Sequence, residues 1–164
     1  MRLSDYTDYT LRVLMYCAQH RDRLVTIAEM ADVYGVSKNH LMKIVNDLAR
    51  QGLLETTRGR GGGLRLLKAP ADIRVGDVVR GAETDFRLVE CFDPSSDTCT
   101  LTPSCRLKNV LASALQAYFA ELDAVTLADI ARPGPTPARL AKPKAATARK
   151  GRVITPIAVL RSSR

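Results

Sequence analysis

Three features of the 164-residue chain predict a mainly α fold with a small β wing. Residues 26–51 divide into two short helical patterns joined at Gly35. Just after them a glycine-rich stretch, RGRGGG at 58–63, separates two short apolar segments. Farther on, Leu107, Val110, Leu111, Ala114, Leu115, Tyr118, Phe119 and Leu122 recur at three- and four-residue spacing, the pattern of one long amphipathic helix. Helix, tight turn, helix and ribbon in that order predict a winged helix-turn-helix domain. The apolar stripe predicts a long dimerisation helix behind it.

Each element has a local cause. Leu3, Tyr6, Leu11, Leu14 and Met15 place a first helix over 3–20. Thr26 is the expected N-cap of the second, with Glu29 three residues on to complete a capping box. Its apolar face is Ile27, Met30 and Ala31, and Gly35 ends it in a tight turn. Ser37 then caps a third helix with Leu41, Ile44, Val45 and Leu48 on its inner face, and Gly52 closes it. Leu53–Thr57 and Leu64–Leu67 read as the strands of a hairpin whose glycines supply the positive φ that its turn requires. Pro70 ends this unit, and a short helix follows at about Val75–Gly81. CFDPSSDTCTLTPSC, residues 91–105, reads as a loop, and the long helix runs over 106–123 with a further turn at Thr126–Ala131. The resulting organisation is a winged domain over 1–83, a cysteine loop over 84–105, a dimerisation segment over 106–131 and a tail over 132–164 that is rich in Pro, Ala, Lys and Arg and expected to be extended or disordered.

Composition narrows the function. Apolar residues make up 46% of the chain, enough for a core of Leu, Val, Ile and Ala, with no Trp. The net charge of +8 resides in the tail: residues 132–164 hold nine Lys or Arg and no acid, while 1–131 hold sixteen basic and seventeen acidic side chains. Within the body, 37–74 carry eight basic and three acidic groups, which suits phosphate contact, whereas 77–99 carry six acids against two bases. The first residues are charged throughout, with no apolar run for export or membrane crossing, so a reducing cytoplasm and no membrane partner are expected. No Ser/His/Asp set, phosphate loop or C-x-x-C motif is present, which argues against an enzyme.

The order of elements predicts binding to double-stranded DNA. A recognition helix presents its N-terminal residues to base edges in the major groove. Here those residues are Ser37, Lys38, Asn39 and His40, with Lys43 one turn on, and all of them can hydrogen-bond. Arg58 and Arg60 stand on the glycine-rich tip, where a slender basic loop can enter a narrow minor groove. A basic helical hairpin without a partner is the blander alternative. The apolar stripe after residue 106 has two readings as well. It can pack on its own domain or pair with its twin, and a two-fold dimer matches palindromic half-sites. The basic tail either adds sequence-independent DNA affinity or merely keeps the chain in solution.

Cys91, Cys99 and Cys105 are separated by seven and five residues. Structural zinc sites use short C-x₂₋₄-C knuckles and four ligands, and neither is present. Soft thiolates at irregular spacing also suit an iron–sulfur cluster or a thiol redox switch, and all three chemistries stay open on spacing alone. Cys17 lies in the first helix among Met15, Tyr16 and Ala18 and reads as a small buried hydrophobe.

The first-helix sequence DYTLRVL, the segment SKNHLMKIVNDLARQGLLETTRGRGGGLRL and three loop cysteines before a long helix together resemble the iron–sulfur winged-helix transcription regulators, over about residues 1–131. Within that group the pattern is most similar to the nitric-oxide-sensitive repressors. The resemblance implies a homodimeric repressor of operator DNA with one iron–sulfur cluster per subunit, 2Fe-2S or 4Fe-4S. Cys91, Cys99 and Cys105 would hold it, with Asp8 of the partner subunit completing the ligation and nitric oxide as the signal. A sensor of iron or redox state is the alternative. Members that control iron–sulfur biogenesis place a His three residues after the last cysteine, where this chain has Lys108. The seven-residue gap between Cys91 and Cys99 is longer than in several members and leaves the cluster type open.

Overall fold

The computed structural model of the chain describes residues 2–132. The expectations for the tail lie outside the described residues, apart from Arg132. The element order is α1 (Asp5–Gln19), α2 (Ile27–Tyr34), α3 (Lys38–Arg50), β1 (Leu54–Thr57), β2 (Gly63–Leu66), α4 (Val75–Ala82), α5 (Arg106–Ala124) and α6 (Leu127–Ala131). The chain is mostly helical, with one antiparallel two-stranded sheet in which Leu54 faces Leu66 and Thr57 faces Gly63. The predicted winged helix-turn-helix is the architecture observed.

α1 is the central strut and packs against α3, α4, α6 and β2. It begins at Asp5 rather than Leu3, because Ser4 Oγ accepts the Thr7 N–H and caps it. Its inner face buries Val13, Leu14 and Cys17 against Met30, Leu41, Ile44 and Leu48. Burial pushes the Cys17 thiol up to about 12 and keeps it protonated, as a small hydrophobe should be. Thr26 caps α2 by accepting the Glu29 N–H at 3.1 Å. The Glu29 carboxylate turns to Arg23 and the Tyr16 hydroxyl, which pull its pKa down to about 2. α3 ends in a Schellman motif: Gly52 has φ 69°, its N–H donates to Ala49 O, and the Leu53 N–H donates to Leu48 O, each at 3.0 Å.

Two long-range features were not legible in the sequence. Val25 forms a bridge with Leu64, so the wing is anchored to the segment before α2 through Val25 N–H to Leu64 O at 3.0 Å and Leu64 N–H to Val25 O at 2.8 Å. The segment over 106–131 is also two helices with different destinations. α6, capped by a Thr126–Asp129 box, returns to the winged domain, where Leu127 is 1% exposed in the core. The Leu127 N–H donates to Ile73 O at 2.8 Å, and Val75 N–H donates to Val125 O at 3.0 Å.

α5 behaves differently. Among its described residues none is buried within one chain, and Leu107 and Val110 are each 62% exposed. It touches the domain chiefly through α4, where Arg80 grips Asp123 with two bonds of 2.7 and 2.6 Å and lies over the Phe119 ring. Phe86 meets the same ring edge-on at 4.8 Å.

Just past the same end of α4, its C-cap Glu83 holds the first turn of α1. One carboxylate oxygen accepts the Ser4 N–H and Ser4 hydroxyl at 3.0 Å and the Thr7 hydroxyl at 2.7 Å. The Thr7 hydroxyl, then the Ser4 N–H, hold the Glu83 pKa below the usual carboxylate range. A carboxylate lowered in this way stabilises the fold above its unfolded pKa, and that contribution is lost as pH falls through the folded value. Glu83→Gln is therefore expected to lower the thermal midpoint at pH 7. The gap between variant and parent should close as the pH is taken below the carboxylate range, as melting curves across pH will show.

Candidate nucleic-acid interface and cysteine loop

Ser37 forms the N-cap of α3, and its Oγ accepts the His40 N–H at 3.2 Å. The cap sets the helix start so that Lys38 and Asn39 project into solvent from the first turn. Lys43 follows one turn later, also exposed, with its ammonium 5.7 Å from the Tyr6 ring. Met42 and Asn46 share this open face. The sequence pattern does not single them out, since neither belongs to the basic, hydrogen-bonding first turn.

His40 is placed differently from its neighbours. Its ring stands edge-on to Tyr9 at 5.4 Å and Tyr6 at 6.4 Å, and its Nε2 is buried without a hydrogen-bond partner among the described residues. His40 thus belongs to the packing of α1 on α3 and not to the exposed face of α3. Beside it the Tyr6 hydroxyl donates to Asp47, which also pairs with Arg50. Burial and the Asp47 contact push the Tyr6 pKa up to about 12. These contacts lock α3 to α1.

The wing tip has the geometry that its glycines suggested. Gly59 and Gly61 take φ of 98° and 78°, the left-handed region that side chains with a Cβ avoid. A Cβ on Gly63 would stand 2.6 Å from Val25 O, where the ribbon is hydrogen-bonded to the body. Arg58 and Arg60 are exposed at the tip, and neither forms an ion pair among the described residues. Arg65 is instead neutralised across the ribbon by Glu55 at 2.8 Å. Arg58→Ala is expected to weaken operator binding by about 1–3 kcal/mol, the range for removing one Arg that reads a base. The loss should be greatest on A/T-rich flanks with a narrow minor groove. Equal affinity of parent and variant across a gel-shift series of such flanks would remove the wing from the interface.

The cysteine loop hangs between α4 and α5. Cys91 lies in a short 3₁₀ turn and is buried at 8% exposure, whereas Cys99 and Cys105 are half-buried. Cys105 is also the N-cap of α5, and its Sγ accepts the Lys108 N–H at 3.4 Å. A helix N-terminus of this length favours negative charge nearby, and so suits an anionic sulfur ligand. The acidic residues of this region shape the loop. Asp93 Oδ1 accepts the N–H and hydroxyl of Ser95, and Asp97 Oδ1 accepts the Cys99 N–H at 3.0 Å and the Thr102 hydroxyl at 3.1 Å. Arg87 clasps Asp85 and Asp93 and ties the start of the loop together.

All four cysteines are free thiols. Among the described residues no three His, Cys, Asp or Glu side chains stand close enough to hold a metal ion, so one chain alone does not gather Cys91, Cys99 and Cys105 into a ligand cage. Their donor chemistry does fit an iron–sulfur cluster: three soft ligands on one short loop, with no histidine beside them. Asp8 sits on the surface of α1, its side chain 48% exposed and paired with Arg12 at 2.8 Å. No helix of the described residues is long and apolar enough to cross a membrane.

Comparison with known proteins gives consistent matches. The Rrf2 family model, described as an iron-dependent transcriptional regulator, matches residues 3–133. The HTH-type transcriptional regulator NsrR of Bacillus subtilis (strain 168) is 50% identical over 133 residues, covering 80% of this chain and 91% of that protein. Among solved structures, T. potens IscR is similar with a TM-score of 0.62 at 27% identity, over 79% of this chain and 85% of that one. CymR, the global cysteine regulator of B. subtilis, shares the fold with a TM-score of 0.66 at 23% identity, over 82% of this chain and 99% of that one.

Proposed function

The chain belongs to the Rrf2 family of transcriptional regulators, and from that premise we propose that it is a homodimeric repressor that carries an iron–sulfur cluster and releases operator DNA when nitric oxide attacks that cluster. The observation that carries this reading is the position of the three free loop thiols. They lie between the DNA-reading domain and a helix that exposes its apolar stripe. The likeness to NsrR over most of the chain supports the choice of signal.

Cys91, Cys99 and Cys105 would hold the group, and Asp8 of the partner subunit would complete its ligation. To do so, Asp8 must exchange Arg12. That is a small cost, since surface ion pairs contribute about 0–1 kcal/mol. A cluster bound there would present iron, at which nitric oxide reacts. The chain's own residues turn this into a change at the DNA. With its thiols engaged, the 91–105 loop is tied to the N-terminus of α5 through Cys105 and, through Asp93 and Arg87, to the segment that follows α4. Engagement of Asp8 ties α1 to the other subunit, and α1 grips α3 through Tyr6, Tyr9 and His40. Release of the thiols and of Asp8 frees both ties, and the two recognition helices lose their fixed separation.

The family description as iron-dependent also favours a second reading, in which iron supply or redox state is the signal. Anaerobically purified protein exposed in parallel to nitric oxide, oxygen and an iron chelator separates the two. The first reading expects DNA release at stoichiometric nitric oxide, ahead of any effect of chelation. The second expects chelation alone to suffice.

The tail contributes to affinity and not to sequence choice. Its nine Lys or Arg stand without an acid, on a body in which residues 1–131 carry a net charge of −1. Deleting residues 133–164 is expected to flatten the dependence of log K on log salt by about 0.9 for each phosphate that the tail neutralises. The ranking of operator sequences should stay as it was. An unchanged salt slope in fluorescence anisotropy would make the tail a mere solubilising appendage.

A further inference from the structure

Met42 is an anomaly on α3. The inner face of that helix is Leu41, Ile44, Val45 and Leu48, all buried. The outer face is polar, with Lys38, Asn39, Lys43 and Asn46 open to solvent. Met42 belongs to the outer set and is 46% exposed. The other exposed large hydrophobics lie off α3: Val33 on α2, Leu67 after the wing, Leu101 on the cysteine loop, and Leu107 and Val110 on α5. Single exposed hydrophobics are common and usually need no explanation. This one sits inside the charged face that addresses DNA, one helical turn from Lys38 and Asn39 on one side and from Asn46 on the other.

The geometry points to Met42 as a specificity-determining residue that packs on the 5-methyl group of a thymine in the major groove. That methyl is the one apolar group that base edges present in the groove. An unbranched, polarisable thioether adapts to it without demanding a fixed rotamer. The flanking groups divide the remaining work by chemistry: Asn39 and Asn46 suit adenine edges, and Lys38 and Lys43 suit guanine edges or phosphate. A polar side chain at position 42 would gain nothing from the methyl, so the assignment makes the thioether matter for sequence choice and not for folding.

This inference rests on the reading of α3 as the DNA-recognition helix, and the test separates the two. The preferred site is selected from a random double-stranded pool with the full-length, anaerobically purified protein. Each thymine of that site is then replaced in turn by deoxyuridine, which removes only the methyl. The parent should lose about fourfold in affinity at one thymine of each half-site, the amount expected for one methyl group's burial. Met42→Ala and Met42→Gln should bind the thymine and deoxyuridine sites equally well, with melting temperatures like that of the parent. Indifference of the parent to every deoxyuridine overturns the role of Met42 while leaving DNA recognition by α3 intact. A penalty that persists in both variants does the same. Failure of the pool to yield any preferred sequence overturns both.

Discussion

Replacing Cys91, Cys99 or Cys105 singly with Ser is expected to abolish iron retention and the nitric-oxide response while leaving the winged domain folded. None of the three belongs to the packed cluster of Leu14, Met30, Leu41, Ile44 and Leu48 that holds the domain together. Changing an outer-shell neighbour of a metal ligand already costs 10–100-fold in metal affinity in typical sites, and deleting one of three thiolates should cost more. Cys17 is the internal control. It is 2% exposed in α1, and its thiol is pushed up to about 12, which rules it out as a ready ligand. Cys17→Ala should keep full iron and show only the stability penalty of a missing buried sulfur. Iron per chain and circular dichroism on anaerobically purified variants check both halves. A Ser variant at position 91, 99 or 105 with a full complement of iron would remove that cysteine from the site.

The second large effect is at the exposed face of α5. Leu107 and Val110 lie one turn apart and are each 62% exposed. No part of the described chain buries them, and a repressor that reads palindromic half-sites needs a two-fold interface. The double variant Leu107→Asp, Val110→Asp should sediment as a folded monomer, because the substituted side chains face solvent in one chain. Its operator affinity should drop towards that of a single half-site. Specific binding commonly exceeds non-specific binding by about 10³–10⁷-fold, and a lone half-site recovers only part of that ratio. Analytical ultracentrifugation with and without operator DNA reads the outcome. A dimer of unchanged affinity would move the interface elsewhere.

The parts of this molecule that were legible in its sequence are those with local causes. The caps Thr26 and Ser37 and the Schellman glycine at Gly52 act within a few residues, and they sit where the sequence places them. The apolar face of α3 and the stripe of α5 follow from periodicity. What escaped was long-range. Nothing near Val25 announces a bridge to Leu64, and nothing near Leu127 announces a return to the core from beyond α5. The chemistry of His40 suggests a base reader. Its place in the helix turns it onto Tyr6 and Tyr9 instead, a distinction that depends on where α1 lies. The acids of 77–99 do more than repel phosphate: the Asp-x-Ser at 93–95 and the Asp-x-Cys at 97–99 are local signals for turns that accept a backbone N–H two residues on. The three loop thiols and Asp8 are not brought together within the described residues of one chain, so periodicity and spacing could raise their joint role only as an expectation.

Coupling of the cluster to DNA binding is tested most directly by an anaerobic nitric oxide titration of the purified protein on its operator, followed at once by DNA binding and by visible absorbance and Mössbauer spectra. The protein is expected to be isolated with iron and to bind its operator. Release of DNA should track loss of the cluster spectrum as nitric oxide is added. An iron-free, colourless protein that holds the same operator with equal affinity before and after nitric oxide would contradict that coupling.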